Sequence, residues 1–387
     1  MKHLRKNILL FLFVISSAAN ADTTAPSPWT QATLDQLPTQ NLEGEKEGLK
    51  LALQRQIARC QELPDNKPWT FGNRTLPQSV WCQQTHQAML KILEESSTWE
   101  QIFDRMYREF EWYRSVGTDG KGLVRFTGYF TPTLEARRAP EGEFQFPLYR
   151  QPPDLVPVVI DGRPTFRKRL ADGTYEPFFT RKQIDFEGAL RGLGLEVAYV
   201  KSLFDAYIFQ IQGSGRLWFS PGEEPIFFQF TAHNGYAYTS IGKAFEPGGL
   251  DPKYRGVQGL RRYFQERPEE LARVLPFNPR YVFFREGGAG PVGHVGAVLV
   301  PGHAIASDQW LFPQGALALV SNRRPVIENG KIVRWQEYTR LVLNQDTGGA
   351  IQGPGRVDVY WGGDEYAEWA AGQTYLEPGQ LFFAVVK

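Results

Sequence analysis

The sequence predicts a mainly β protein preceded by helices: a helical N-terminal part, then a large β-rich body. Three observations carry this. Between residues 44 and 115 apolar side chains recur at helical spacing. From Gly122 onward the chain breaks into short β-branched and aromatic runs separated by Gly, Pro and Asp, the texture of strands in barrels or sandwiches. The 387 residues, 42% hydrophobic and 22% charged, have the make-up of a globular chain of about two domains, with no internal repeat or low-complexity stretch.

In order along the chain, "MKHLRKNILLFLFVISSAANA" opens with Lys2, Arg5 and Lys6. It continues with an apolar run from Ile8 to Ile15 and closes on Ala19-Asn20-Ala21. That is the three-part pattern of a secretory signal, with cleavage expected after Ala21 and residues 1–21 removed. No later segment approaches the ~20 apolar residues of a membrane span, and no cysteine near the cleavage point could carry a lipid. After a polar lead (22–40), "GEKEGLKLALQRQIARCQEL" sets Leu49, Leu51, Leu53, Ile57 and Leu63 roughly at helical periodicity. "QTHQAMLKILEE" reads as a second helix. "SSTWEQIFDRMYREFEWYRS" reads as a third, capped from Ser96, Ser97 or Thr98 and stacking Trp99, Ile102, Phe103, Met106, Phe110 and Tyr113. The expected strands are "LVRFTGYF", "LVPVVI", "AYIFQIQGSGRLWF", "IFFQF", "YVFFRE", "GAVLV", "ALALV", "TRLVLNQD", "RVDVYW" and "LFFAVV". One helix, "GLRRYFQERPEELARVL", interrupts them.

Charge and cysteines narrow the function classes. Loss of a signal carrying three positive charges and no acid takes the formal +1 of the whole chain to −2, which argues against nucleic-acid binding, for which a basic face is required. Cys60 and Cys82 are the two cysteines. In an exported chain such a pair is expected to form one structural disulfide, contributing about 3 kcal/mol by loop-closure entropy. Neither has a histidine at metal-ligand spacing beside it, so no metal is expected.

Several motifs suggest chemistry and fail on closer reading. Asp346-Thr347-Gly348 is the triplet of aspartic proteases, which need two such loops to share a proton; a chain of this size should carry both, and only one is present. "GAGPVG" fits a dinucleotide fingerprint, but Pro291 sits inside it and a strand-like run follows where a helix is required. His86, His233, His294 and His303 form no triad or metal signature, and Ser214 in "QGSGR" lacks the spacing of a nucleophile elbow. Three aspartates remain at or within expected strands: Asp308, Asp346 and Asp358. Asp346 follows apolar "RLVL" and precedes Gly348, Gly349 and Ala350, small residues that leave room for a bulky substrate. Apolar walls around it would raise its pKa and make it a general acid; the alternative for any single Asp beside Gly is a turn-former. Aromatic content is 14%, and Trp218, Tyr129, Tyr360 or Trp361 could stack on sugar rings, with core packing as the alternative for each.

Together, residues 127–155 ("TGYFTPTLEARRAPEGEFQFPLYRQPPDL"), 209–217 ("FQIQGSGRL"), 234–243 ("NGYAYTSIGK"), 278–286 ("NPRYVFFRE"), 306–315 ("ASDQWLFPQG") and 343–363 ("LNQDTGGAIQGPGRVDVYWGG") resemble the membrane-bound lytic murein transglycosylase A family. The resemblance covers roughly two thirds of the chain. It implies a double-psi β-barrel domain built from 22–131 and 277–387, with the N-terminal helices packed on it. A second β-barrel-like domain, 132–276, would be inserted, with glycan bound in the groove between the two. By the same resemblance Asp346 is the catalytic acid/base, with Asp308 and Asp358 as further acids near the site. The reaction is cleavage of the β-1,4 bond between N-acetylmuramic acid and N-acetylglucosamine by the muramic acid's own C6 hydroxyl, which needs neither water nor cofactor. Tyr129, Thr131, Gln212, Gly213, Ser214, Asn234, Tyr238 and Ser240 are candidate glycan contacts beside Gly348, Gly349 and Ala350. The better-known members are held at the outer membrane by a lipidated cysteine; the signal here points instead to the periplasm of a Gram-negative cell. A monomer is expected, bound to peptidoglycan strands, with at most transient partners in the wall machinery. Two other readings stay open: a hydrolase using Asp346 with Asp308 or Asp358, and a glycan-binding or wall-loosening protein without catalysis.

Overall fold

A computed structural model describes residues 27–63 and 68–387; the expected export signal and its cleavage point lie outside them. Three helices lead, α1 (Lys46–Cys60), α2 (Gln78–Glu95) and α3 (Trp99–Glu109). Cys60 and Cys82 are disulfide-bonded, with 5.6 Å between their Cα atoms, tying the end of α1 to the second turn of α2. Thr98 caps α3, its hydroxyl accepting from the Gln101 amide while the Gln101 side chain returns to the Thr98 amide.

Six strands close into a barrel: β1 (Val124–Tyr129), β2 (Ala304–Ala306), β3 (Ala316–Glu328), β4 (Lys331–Asp346), β5 (Arg356–Tyr360) and β6 (Glu377–Val386). Their order around the barrel is β1-β5-β2-β4-β3-β6, and β6 returns to β1 through the pairs Glu377–Phe126 and Gly379–Val124. The other half of β6 pairs with Phe110–Ser115, which in turn carries Trp29–Ala32. The turn from β3 to β4 is Asn329-Gly330, both at positive φ (50° and 67°), the residue pair that a two-residue hairpin turn favours.

Alternation along these strands divides the apolar side chains between two layers. Ala316, Ala318, Val320, Val342, Val357, Val359, Leu381 and Phe383 share the large cluster that includes the barrel interior. Leu317, Leu319, Leu341, Leu343, Phe382 and Ala384 face outward, against Leu49, Leu53, Met89, Ile92, Phe103 and Met106 of the helices. A strand buried on both faces reads as a continuous apolar run, which is how "ALALV" and "LVL" read.

Between β1 and β2 the chain builds the second β domain. Its four-stranded sheet runs Val282–Glu286, Ile226–His233, Ser214–Trp218, Thr133–Glu135, beside two-stranded (Phe146–Tyr149, Glu196–Val200) and three-stranded (Leu155–Ile160, Arg163–Arg169, Tyr175–Glu176) sheets. Val282–Glu286, which a boundary at 277 would give to the barrel, instead hydrogen-bonds to Ile226–His233, and barrel pairing resumes only at Ala304. The two domains are joined by packing as well as by chain. Leu203, Phe204, Tyr207 and Phe264 of the inserted part lie in one apolar cluster with Ala367, Ala370 and Ala371 of the barrel part. Arg261 bridges Asp205 (2.9 Å) and Glu368 (2.7 Å).

Four sequence expectations change. Residues 110–115, expected to extend the third helix, form a strand, because Phe110 and Trp112 alternate into the layer under the helices while Tyr113 packs in the cluster on the other face. "AYIFQIQ" is helix α4 (Leu203–Gln212), capped by Ser202 and closed by Gly213 at φ 78°. "GAVLV" forms no named strand, only bends and an isolated bridge from Val298 to Val292. An unforeseen helix α5 (Glu365–Gln373) starts at Asp364, whose carboxylate accepts from the Ala367 amide. Among the described residues no helix is long and apolar enough to cross a membrane.

Candidate active site

Strand register assembles the site. Ala306 on β2 pairs with Asp346 at the end of β4 on one side and with Asp358 of β5 on the other, and Asp358 pairs onward with Thr127 of β1. Paired residues on adjacent strands point to the same face, so Thr127, Asp358 and Asp346 form one row on the outer surface of the barrel, with the small Ala306 between the two acids. Two inter-strand spacings put the Asp Cα atoms about 10 Å apart. The interior face is taken by Ile305, Val357 and Val359, in the apolar cluster.

Asp346 is held through both oxygens. Oδ1 accepts from the backbone amides of Thr347 (2.9 Å) and His294 (3.2 Å), and Oδ2 accepts from the Tyr129 hydroxyl (3.0 Å). Burial pushes its carboxyl up to about 6; these three donors pull the other way, and the charge of Asp358 adds to the rise. The Tyr129 hydroxyl is itself driven well above its ordinary value, by burial first and then by Asp346 and Asp358, so it remains a donor at every working pH. Asp358 accepts from the Thr127 hydroxyl at 2.6 Å, and that hydroxyl accepts in turn from Arg356 at 2.7 Å. Burial raises the Asp358 carboxyl while Arg356 and Thr127 counter it.

Asp308 stands apart in role. Its Oδ1 accepts from the Trp310 amide (2.9 Å) and its Oδ2 from the Gly353 amide (2.8 Å), so it ties the turn after β2 to the loop that follows Asp346. The other wall is the inserted domain. Gly348, Gly349 and Ala350 are exposed, and a Cβ at Gly349 would lie 3.5 Å from Tyr238 Cβ and 3.9 Å from Arg280 Cζ. Tyr238 lies within electrostatic reach of Asp358 and Arg356.

The remaining expected glycan contacts divide. Gln212 accepts from the Phe130 amide at 3.0 Å, fastening α4 to the exit of β1, while Gly213 and Ser214 follow it as helix cap and strand start. Ser240 caps a short 3₁₀ turn through the Gly242 amide and stays exposed. Thr131 and Asn234 do not face the groove. Thr131 is buried with its hydroxyl 2.8 Å from that of Tyr360. Asn234 is 0% exposed, donating to Phe179 and Pro279 carbonyls and accepting from the Tyr281 amide, so both its donors are committed and the side chain is sealed from a ligand. Tyr360 and Trp361 are core residues and Trp218 is exposed. Sequence reading missed Thr127, Arg356 and the His294 amide. The first two could have been found by aligning "RFTGY" beside "RVDVY" as parallel strands with a shared outer face.

Family models match two segments: the MltA specific insert domain at residues 125–285 and the 3D domain at 303–381. Membrane-bound lytic murein transglycosylase A of Escherichia coli K12 is 35% identical over 253 residues, 65% of this chain and 62% of that one. The homologue of Buchnera aphidicola is 30% identical over 263 residues, 67% of this chain and 66% of that one. The chain thus spans somewhat under two thirds of the length of these curated relatives. Among solved structures, the membrane-bound lytic murein transglycosylase of Agrobacterium tumefaciens superposes with a TM-score of 0.73 at 27% identity, covering 92% of this chain and 97% of that one. E. coli MltA with bound chitohexaose gives 0.69 at 26%, covering 93% and 95%. With the inserted domain, the barrel and the sequence matches agreeing, the chain belongs to the membrane-bound lytic murein transglycosylase A family.

Proposed function

We propose that the protein is a lytic transglycosylase that cleaves the β-1,4 bond between N-acetylmuramic acid and N-acetylglucosamine in peptidoglycan, with Asp346 as a single acid/base. The observation that carries this reading is the Asp346 carboxyl, raised to about 6 by burial yet supplied with three donors ready for its anion. A group with that pKa is protonated in about one molecule in ten at pH 7 and is a strong enough acid to give the proton up. Oδ1 is occupied by two amides and Oδ2 by one phenol, which leaves Oδ2 a free lone pair for the proton. Asp346 donates that proton to the glycosidic oxygen as the bond from the muramic C1 breaks. The C6 hydroxyl of the same sugar then bonds to C1, and the Asp346 carboxylate, stabilised by the three donors, takes the hydroxyl proton. The acid is regenerated, and no water enters the balance.

The chitohexaose complex of E. coli MltA supports a chain of β-1,4-linked sugars lying in the corresponding groove. The expected export signal supports the periplasm as the place of work, and the single outer-face acid row requires no second subunit. Asp358, on the same face, carries the competing reading, hydrolysis by two carboxyl groups with a water between. Mass spectra of muropeptides released from purified sacculi separate the two. Products lighter by one water than a muramidase's, absent with Asp346→Asn, establish the anhydro-forming reaction; hydrated reducing ends establish hydrolysis. Release by neither protein, with binding retained, would leave a glycan-binding protein.

A further inference from the structure

The inserted wall of the groove carries positive charge that no acid among the described residues pairs with. Arg280 is partly buried and its Nη1 donates to the Tyr236 carbonyl at 3.0 Å. Arg167 reaches the neighbouring Gly235 carbonyl at 3.2 Å and the Phe166 carbonyl at 3.0 Å. Neither guanidinium forms an ion pair among the described residues; their acceptors are backbone carbonyls. His233, at the end of the strand Ile226–His233 that leads into this loop, is driven to about 3 by burial and then by Arg280 and Arg167, so it is neutral and adds no charge of its own. Burial also lowers Arg280 itself to about 10, with no carboxylate acting against it.

The position of Arg280 is fixed with unusual care. Its amide donates to Asn278 Oδ1 (3.3 Å) and its carbonyl accepts from the buried Arg181 guanidinium (2.6 Å). Asn278 is 0% exposed, and Arg181 is paired with Asp185 at 3.1 Å with side chains 1% and 6% exposed. The guanidinium is therefore presented from a rigid base toward the Gly348–Ala350 loop, 3.9 Å from where a Gly349 Cβ would stand. Three residues of chain span at most about 10 Å, so this charge lies within about 15 Å of Asp346, on the wall that faces the loop following it. A cation taken out of water without an anion is a standing cost, and a ligand that brings the anion removes it.

We propose that Arg280, with Arg167 behind it, is a carboxylate-binding subsite that selects acid-bearing sugars next to the bond to be cleaved. The inference rests on the glycan reading above. Hydroxyl and acetamido groups of the strand are neutral, so the anion is a carboxylate of the muramic acid, with two sources: the lactyl group when it is free, or the peptide stem when one is attached. The planar fork of a guanidinium matches a carboxylate through two hydrogen bonds, which an ammonium cannot reproduce.

The test measures binding by the full chain carrying Asp346→Asn, which cannot turn its ligand over. Arg280→Gln and Arg280→Lys are added to it, and thermal unfolding confirms that each is folded. Three soluble probes are used: peptide-free glycan strands with free lactyl carboxylates, stem-bearing strands, and chitohexaose, which has no acid. Arg280→Gln is expected to weaken an acid-bearing strand about tenfold and chitohexaose less than twofold. Loss confined to peptide-free strands identifies the lactyl group, and loss confined to stem-bearing strands identifies the stem. Arg280→Lys, which keeps the charge and loses the fork, is expected to fall between, and it decides the matter if the glutamine variant does not fold. Equal losses on acid-bearing and acid-free probes, or no loss on any, overturn the subsite. Absence of binding to all three probes before Arg280 is touched overturns the glycan reading itself, a different failure.

Discussion

Asp346→Asn should stabilise the protein at neutral pH, and the pH dependence of that gain tests the account of the site. Burial raises the folded-state pKa from 3.8 to about 6. A raised pKa means the fold disfavours the charged form. Below about pH 3.8 the carboxyl is neutral in both folded and unfolded chains and nothing is lost. As pH rises through 6 the folded protein must hold a charge that it solvates less well than water does. Roughly two pKa units at 1.36 kcal/mol each amount to about 3 kcal/mol. Asparagine keeps an oxygen for the Thr347 and His294 amides and never ionises. The variant and the parent should therefore unfold alike near pH 3.5, diverge between pH 4 and 6, and differ by about 3 kcal/mol above pH 7. Urea unfolding of both proteins at a series of pH values measures this directly. A difference independent of pH, or a parent more stable than the variant at pH 8, would refute the claim that desolvation sets the acid's pKa.

Two further changes probe neighbouring parts of the argument. Tyr129→Phe removes a donor to the Asp346 anion at 3.0 Å, so the carboxyl pKa should climb by about one unit; the alkaline limb of anhydro-product release against pH should move up with it, and an unmoved or lowered limb would contradict the role given to Tyr129. Asn234→Ala strands the partners of three buried hydrogen bonds and should lower stability by about 2–4 kcal/mol while leaving sacculus binding intact in the folded protein, as chemical unfolding and a pull-down would show.

How far the sequence could be read follows from how each residue earns its place. The barrel was legible because β3, β4 and β6 are buried on both faces where the helices cover them, and so carry uninterrupted apolar runs. The same rule misread α4: "LFDAYIFQIQ" is surrounded by core, so it shows no polar stripe, and only Ser202 before it and Gly213 after it mark a helix. Residues 110–115 changed state without a breaker, because the switch from helical to alternating spacing happens inside one aromatic run. In "GAVLV" most apolar residues are buried but the backbone turns at Gly293, where the Gln345 carbonyl leaves no room for a side chain, and at Gly296, whose φ of 78° favours glycine. At the site, Asp346 was legible from its motif, whereas its pKa depends on Tyr129, 217 residues away in sequence, and on two amides. Asn234 shows the converse: a polar residue in a matched motif that serves the fold, holding three segments of backbone together.

Asp358 is where fold and chemistry meet most closely, and neutralising it separates two roles that otherwise look alike. Register sets it one strand beyond Ala306 from Asp346, and its negative charge raises the Asp346 carboxyl. If its role is electrostatic, Asp358→Asn should lower the Asp346 pKa, the opposite direction to Tyr129→Phe. The shift should also be smaller, because Asp358 acts from two strands away and Tyr129 by direct contact. The alkaline limb of the pH–rate profile would then move down while anhydro products continue to form. If Asp358 is instead the second carboxyl group of a hydrolase, its loss should remove turnover at every pH and leave no limb to move. Opposite shifts from the two neighbours, with product chemistry unchanged, would mean that one acid performs both proton transfers and that the row of side chains around it exists to set when it holds its proton.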